Sequence, residues 1–235
     1  MTDILDNITK VQGRIQQAAH KSGRQATDIT LLAVSNTQPA DAIEHAFLVS
    51  GLRHFGENYV KEAAEKQQAL LHLPLIWHFI GPLQSNKTAF IAEHFHWCHS
   101  IDRLKIAERL HHQRPDTLPP LNICIQVNID HEASKAGLAI SDVENLITSL
   151  LPLDRLSIRG LMVIPKPGQP DDATLASFRR AAEGLAALRC RFPELPLDTL
   201  SMGMSSDLEL AIAAGSTVVR VGTDIFGARK TPADQ

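Results

Sequence analysis

The sequence predicts an α/β protein, a single (β/α)8 TIM-type barrel with an extra helix in front of it. Three observations carry the prediction. The chain has 235 residues, and α/β barrels of about 200–250 residues fold as one domain. Eight short apolar runs recur along it, with segments of helical periodicity between them. Strands alternating with helices require right-handed crossovers and a parallel sheet. Eight such units close a barrel whose chemistry sits at the carboxyl ends of its strands. A doubly wound open sheet is the competing topology for the same alternation.

At the start, Ile4, Ile8, Val11, Ile15, Ala18 and Ala19 fall at helical spacing, which marks an amphipathic opening helix. The strand-type runs span residues 29–35, 53–56, 76–81, 96–101, 121–129, 157–164, 199–202 and 217–222. The helical segments span 39–49, 59–71, 87–93, 103–111, 142–151, 172–191 and 206–214, and residues 165–172 read as one exposed loop. No composition shift or linker marks a second domain. Residues 1–22 are therefore the opening helix, 29–229 the barrel and 230–235 a tail.

Lys and Arg number 23 against 26 Asp and Glu, a net charge of −3, so nothing points to nucleic acid as a partner. Cys98, Cys124 and Cys190 are odd in number and far apart, which argues against a disulfide framework; they read as buried thiols in a reducing compartment. The polar N-terminal stretch has no apolar signal region, and no segment approaches the roughly 18 apolar residues of a membrane span. The expectation is a cytoplasmic protein, monomeric or weakly dimeric, with no membrane partner.

In a barrel the informative polar residues lie just beyond each strand, because strand interiors serve packing. Here they are Asn36 and Thr37, Glu57 and Asn58, Gly81, Gln84 and Ser85, Asp102, Asn128, Ser201, Gly203 and Ser205, and Gly222 and Thr223. The last two units are the most telling. Gly203-Met204-Ser205 follows the seventh run, and Ser206 with Glu209 gives a capping-box signature for a helix ending at Gly215. Gly222-Thr223 follows the eighth. Glycines and hydroxyls at helix starts offer free amides and a dipole to an anion, and the loops after strands 7 and 8 are the usual phosphate cradle of these barrels. The bland alternative is that Gly203 and Gly222 serve only tight turns.

Val218-Val219-Arg220-Val221 alternates, placing the Arg220 guanidinium on the face of Val218, where it needs either a carboxylate or a ligand's anion or acceptor nitrogen. His94, His96, Cys98 and His99 resemble metal ligands, but an alternating strand sends neighbours to opposite sides, so no metal site is expected. GxSxG, GxxxxGK[ST] and GxGxxG are absent, which removes the main support for serine hydrolase, P-loop and Rossmann readings.

The phrases LLAVSNTQP (31–39), RHFGENYV (53–60), WHFIGPLQSNK (77–87), SIDR (100–103), RGLMVIP (159–165) and LSMGMSSDLELAIAAGSTVVRVGTDIFGAR (200–229) resemble the pyridoxal phosphate homeostasis proteins of YggS/PROSC type, in order and over nearly the whole chain. The resemblance implies a fold similar to the N-terminal barrel of alanine racemase, with pyridoxal 5′-phosphate (PLP) at the mouth and no second domain. It implies that Ser201, Gly203, Ser205, Gly222 and Thr223 cradle the phosphate, that Arg220 faces the pyridine nitrogen, and that Asn58 and His78 border the ring. An arginine lends no proton there, which leaves the ring a weak electron sink.

One departure stands out. Where the family has the lysine that forms a Schiff base with the cofactor, this sequence has Asn36. A carboxamide nitrogen is no nucleophile toward an aldehyde, so covalent attachment at position 36 is impossible. Of the nine lysines, Lys87 and Lys135 lie near predicted strand ends and are the candidates for a substitute, against the plainer reading of solvated lysines. Charge-assisted phosphate contacts at about 1.5–3 kcal/mol each could still hold PLP, so non-covalent, reversible binding is expected. The resemblance thus implies a non-catalytic protein of PLP homeostasis, with PLP-dependent apo-enzymes as possible recipients. The alternatives are a racemase-like PLP enzyme, which would lack both the lysine and a spare tyrosine beyond Tyr59, and a barrel binding another phosphorylated metabolite.

Overall fold

The computed structural model describes residues 4–132 and 135–227. Eight parallel strands close into a barrel in sequence order: β1 (Thr30–Val34), β2 (His54–Glu57), β3 (Ile76–Phe79), β4 (Trp97–Ile101), β5 (Leu121–Val127), β6 (Leu156–Val163), β7 (Thr199–Ser201) and β8 (Val218–Val221). The open-sheet alternative fails at the seam, where Thr30 to Ala33 of β1 pair in parallel with Val218 to Val221 of β8. The helices are α1 (Ile4–Lys21), α2 (Ala40–Ser50), α3 (Val60–Ala69), α4 (Thr88–His94), α5 (Leu104–Gln113), α6 (Val143–Leu150), α7 (Asp171–Arg191), α8 (Leu208–Ala213) and α9 (Thr223–Phe226). The tail at 230–235 and the last residues of the GAR phrase lie outside the described residues.

The alternation of each strand explains its two environments. Phe55, Phe79, Cys98, Ile123, Leu161 and Val219 point outward into an apolar layer between sheet and helices. Leu32, Cys124, Met162 and Val218 are buried apart from that layer. Between them the barrel interior holds polar side chains, which is unusual for a core of branched apolar layers.

The opening helix is as predicted, with Ile8, Val11, Ile15, Ala18 and Ala19 buried. It packs on α8, α9 and α2, on the outer wall rather than across the floor. Three local expectations are corrected. Ser206 caps no helix: α8 begins after Asp207, and Glu209 turns away to Arg14 at 2.7 Å. Cys190 is exposed on α7, while burial holds Cys98 up to about 11 and pushes the Cys124 thiol higher still. The short α9 has no counterpart among the predicted helical segments, because four residues are too few to show a helical period.

Candidate functional site

A cavity of about 560 Å³ opens at the carboxyl ends of the strands. Its walls are apolar, from Val34, Ile80, Met162, Ile164 and Met204, and its polar end is made by Asn58, Ser205, Ser206, Arg220, Gly222, Thr223 and Asp224. The turn after β7 is closed by Asp207, whose carboxylate accepts the Met204 N–H at 2.6 Å while its own N–H donates to Met204 O at 3.2 Å. Ser205 and Ser206 are left at the tip. Gly203 makes this turn possible: its φ is +92°, and a Cβ there would lie 2.5 Å from that of Ala211. The first bond within α9 is Ile225 N–H to Gly222 O at 3.0 Å, so the amides of Thr223 and Asp224 precede any intrahelical acceptor. Two backbone starts and three hydroxyls thus converge, an arrangement suited to an anion.

Arg220 is buried and partly faces this cavity. Its partners are not carboxylates. It donates to Ser201 O at 2.7 Å, Ser201 Oγ at 2.8 Å and Val163 O at 3.0 Å. Burial lowers its pKa to about 10, opposed by the charge of Asp207, so the group is cationic at neutral pH. The guanidinium is pinned on one side and has N–H capacity left for an acceptor in the cavity.

Of the nine residues expected at the site, the structure brings Asn58, Ser205, Arg220, Gly222 and Thr223 to this cavity. Ser201 lies beneath it, fully buried and bonded to Arg220. Gly203 shapes the turn behind it. His78 does not border the cavity: it sits mid-strand in β3, buried, and lines a smaller cavity of about 260 Å³ at the opposite end of the barrel. Asn36 is buried just beyond β1, and its Oδ1 has no hydrogen-bond donor. Lys87 is exposed in a short turn and Lys135 is tied to Glu132 at 2.6 Å and Pro165 O at 3.0 Å; neither lines the cavity.

The lysine that does approach position 36 is one the sequence did not single out. Lys66 of α3 is buried and donates to Ser35 O at 2.7 Å, Glu57 at 2.8 Å and Glu62 at 2.6 Å. All three of its protons are committed, so it is a strut, not a nucleophile. Glu57 also accepts from Ser35 Oγ at 2.6 Å, and burial raises its carboxyl pKa against the pull of Lys66. In sequence Lys66 showed only an i, i+4 pair with Glu62, the mark of a solvated helix face. Arg14 was missed as well. From α1 it reaches Glu209, Asp224 at 2.6 Å and Ser205 O at 2.8 Å, joining the two loops that form the anion end.

The predicted alternation divides the would-be metal ligands. Cys98 packs outward, His99 points inward, and His96 Nδ1 accepts the Trp77 N–H at 3.1 Å. Among the described residues no group of three His, Cys, Asp or Glu is placed to hold a metal, and no helix is long and apolar enough to cross a membrane.

A family model for the alanine racemase N-terminal domain matches residues 7–230. The pyridoxal phosphate homeostasis protein of Pseudomonas aeruginosa is 55% identical, covering 97% of both chains. That of Escherichia coli K12 is 51% identical, over 97% of this chain and 98% of its own. The chain belongs to the pyridoxal phosphate homeostasis protein family. Within the same family, the structure of PipY from Synechococcus elongatus with PLP bound superimposes with a TM-score of 0.84 at 39% identity, over 96% of this chain and all of that one. Its PLP-free form gives 0.86 at 40%. An alanine racemase from Clostridium difficile shares the fold alone, at 12% identity, with a TM-score of 0.69 over 97% of this chain and 58% of its own. The barrel of the homeostasis proteins therefore corresponds to about that part of the racemase chain.

Proposed function

We propose that this protein holds PLP reversibly and without a covalent bond, as a non-catalytic carrier in PLP homeostasis that yields the cofactor to PLP-dependent apo-enzymes. The convergence of Arg220 with Ser205, Ser206, Gly222 and Thr223 on one cavity carries the reading. The residues fit the group: hydroxyls and helix-start amides for a phosphate, apolar walls for a ring, and a fixed cation for the ring nitrogen. Bound PLP supplies an aldehyde and an electron-withdrawing ring. Arg220 lends no proton, so the ring nitrogen is held but not charged. By the resemblance a covalent anchor would stand at position 36, where the buried Asn36 does not line the cavity and leaves its Oδ1 unpaired, at a cost of about 1–3 kcal/mol for an unsatisfied buried acceptor.

Racemase chemistry lacks a base on each face. Position 36 offers no amine, and Tyr59 is 57% exposed and outside the cavity. The relatives' shared name supports a homeostasis role over an enzymatic one.

Titration with PLP, followed by dialysis or by borohydride and peptide mass mapping, tests the proposal. Saturable, dialysable binding with no modified lysine is expected. An adduct on Lys66, Lys87 or Lys135 would overturn the non-covalent reading, and equal affinity for unrelated phosphate esters would favour a different phosphorylated ligand. The Asn36→Lys variant should gain a borohydride-stable adduct at position 36.

A further inference from the structure

Five side chains from five strands form one hydrogen-bonded chain through the barrel interior. His54 Nδ1 meets His78 Nε2 at 2.9 Å, His78 Nδ1 meets His99 Nε2 at 2.9 Å, and His99 Nδ1 meets Ser201 Oγ at 2.9 Å, where Arg220 also arrives at 2.8 Å. β4 and β7 are not neighbours in the sheet, so the His99–Ser201 contact crosses the lumen. The chain begins at the floor, where His54 is half-buried against the smaller cavity, and ends at the guanidinium that lines the upper one.

The chain has a direction. Arg220 can only donate, so Ser201 Oγ accepts from it. The serine proton then has one acceptor in reach among the described residues, His99 Nδ1. A neutral His99 must therefore donate from Nε2 to His78, and His78 from Nε2 to His54. Each nitrogen that faces a neighbour in the chain is used once, as donor or as acceptor. The His78 ring is further fixed by stacking on Trp97, with centroids 5.4 Å apart and planes 12° from parallel.

We propose that His54, His78 and His99 are positioning residues for Arg220: an oriented relay of neutral imidazoles that keeps the Ser201 hydroxyl as the acceptor of the guanidinium, and that reverses when His54 takes a proton from solvent at the barrel floor. A charged His54 donates from Nδ1. His78 must then accept at Nε2 and donate from Nδ1, and His99 likewise, so Ser201 receives two donors and its own proton loses its acceptor. One proton at the floor thus alters the contact that aims Arg220 at the cofactor pocket. The protons balance: His54 gains one at Nδ1, while His78 and His99 each give up the Nε2 proton and take one at Nδ1, so the net uptake from solvent is a single proton.

The groups facing His54 confine its response to acid pH. Arg53 on its own strand and His96 before β4 disfavour its protonation, as does burial. Asp28 shares its cavity, while Arg159 is spent on Asp198 at 2.5 Å and on Asn122 at 2.7 Å. Burial keeps His78 well below the usual range and, with the Arg220 charge, holds His99 at about 3, so the inner imidazoles stay neutral and only relay.

The proposal rests on PLP as the occupant of the upper cavity, so its test has a ligand-free arm. Nitrogen-15 shifts of the unliganded protein at pH 7.5 should show His54, His78 and His99 all as Nε2–H tautomers; an Nδ1–H tautomer at His78 or His99 would overturn the relay. In the second arm, PLP affinity is compared at pH 7.5 and 5.5 in the wild type and in His54→Gln, which retains an acceptor for His78 but cannot be charged. The ligand's own ionisation cancels in the ratio. Weakening on acidification should be about five-fold greater in the wild type, the value of one ordinary hydrogen bond; equal weakening would overturn the coupling. If neither protein bound PLP at either pH, the pocket reading would fall and the positioning role with it, while the tautomers would still decide the orientation.

Discussion

Asn36 and Gly160 show how single residues set limits here. A carboxamide at position 36 offers no amine nucleophile, and the backbone on either side of it is held by Lys66 on Ser35 O and by Glu62 on the Thr37 N–H. Gly160 in β6 has φ of +149°, and a Cβ there would lie 1.8 Å from Thr199 O of the neighbouring strand. Gly160→Ala should therefore cost about 3 kcal/mol or more, through both strain and lost pairing. A urea midpoint close to wild type would show that β6 can shift to make room. Arg220 was legible as an alternation anomaly in β8, while the choice between an ion pair and a ligand was not, and its partners prove to be Ser201 and Val163 O rather than a carboxylate. His78 was placed too high, since strand register decides depth and one sequence does not fix register.

Among the elements, α1 does more than cover the barrel wall. Through Arg14 it ties the β7–α8 turn to α9, the two segments that supply the hydroxyls and free amides of the anion end. The ion pairs are partly exposed, 33% for Arg14, so their contribution to stability is small, about 0.5–1 kcal/mol. Their effect on the loops should be of the same order and felt at the cavity. Arg14→Ala is expected to lower PLP affinity about five-fold with little change in melting temperature. The difference from wild type should shrink at high salt, and unchanged affinity would show that the loops hold themselves. The amphipathic period of α1 was plain in the sequence. Its docking site was not, because a hydrophobic stripe states that a face is buried and not against what.

For the whole molecule, the polar lumen has a thermodynamic consequence. Burial depresses the pKa of His54, His78, His96 and His99 in the folded state, to about 3 for His99. In the unfolded chain histidines titrate near 6.5. Between those values the unfolded state binds more protons, so stability is complete above about pH 6.5 and falls as the pH is lowered toward the folded values. Each fully neutral imidazole contributes a slope of up to about 1.4 kcal/mol per pH unit. Urea unfolding at pH 7.5, 6.5 and 5.5 should show a progressive loss that His99→Gln makes shallower; a flat profile would mean that the imidazoles charge inside the fold. By itself the sequence determined the alternation of strands and helices, the amphipathic opening helix and the glycine- and hydroxyl-bearing turns of the last two units, because periodicity, glycines and hydroxyls act over a few neighbouring residues. Only the tertiary structure decided that β1 meets β8, that Arg14 grips Ser205 across 191 positions and that His99 reaches Ser201 across 102. Contacts of that separation depend on closure of the barrel, and no local pattern encodes them.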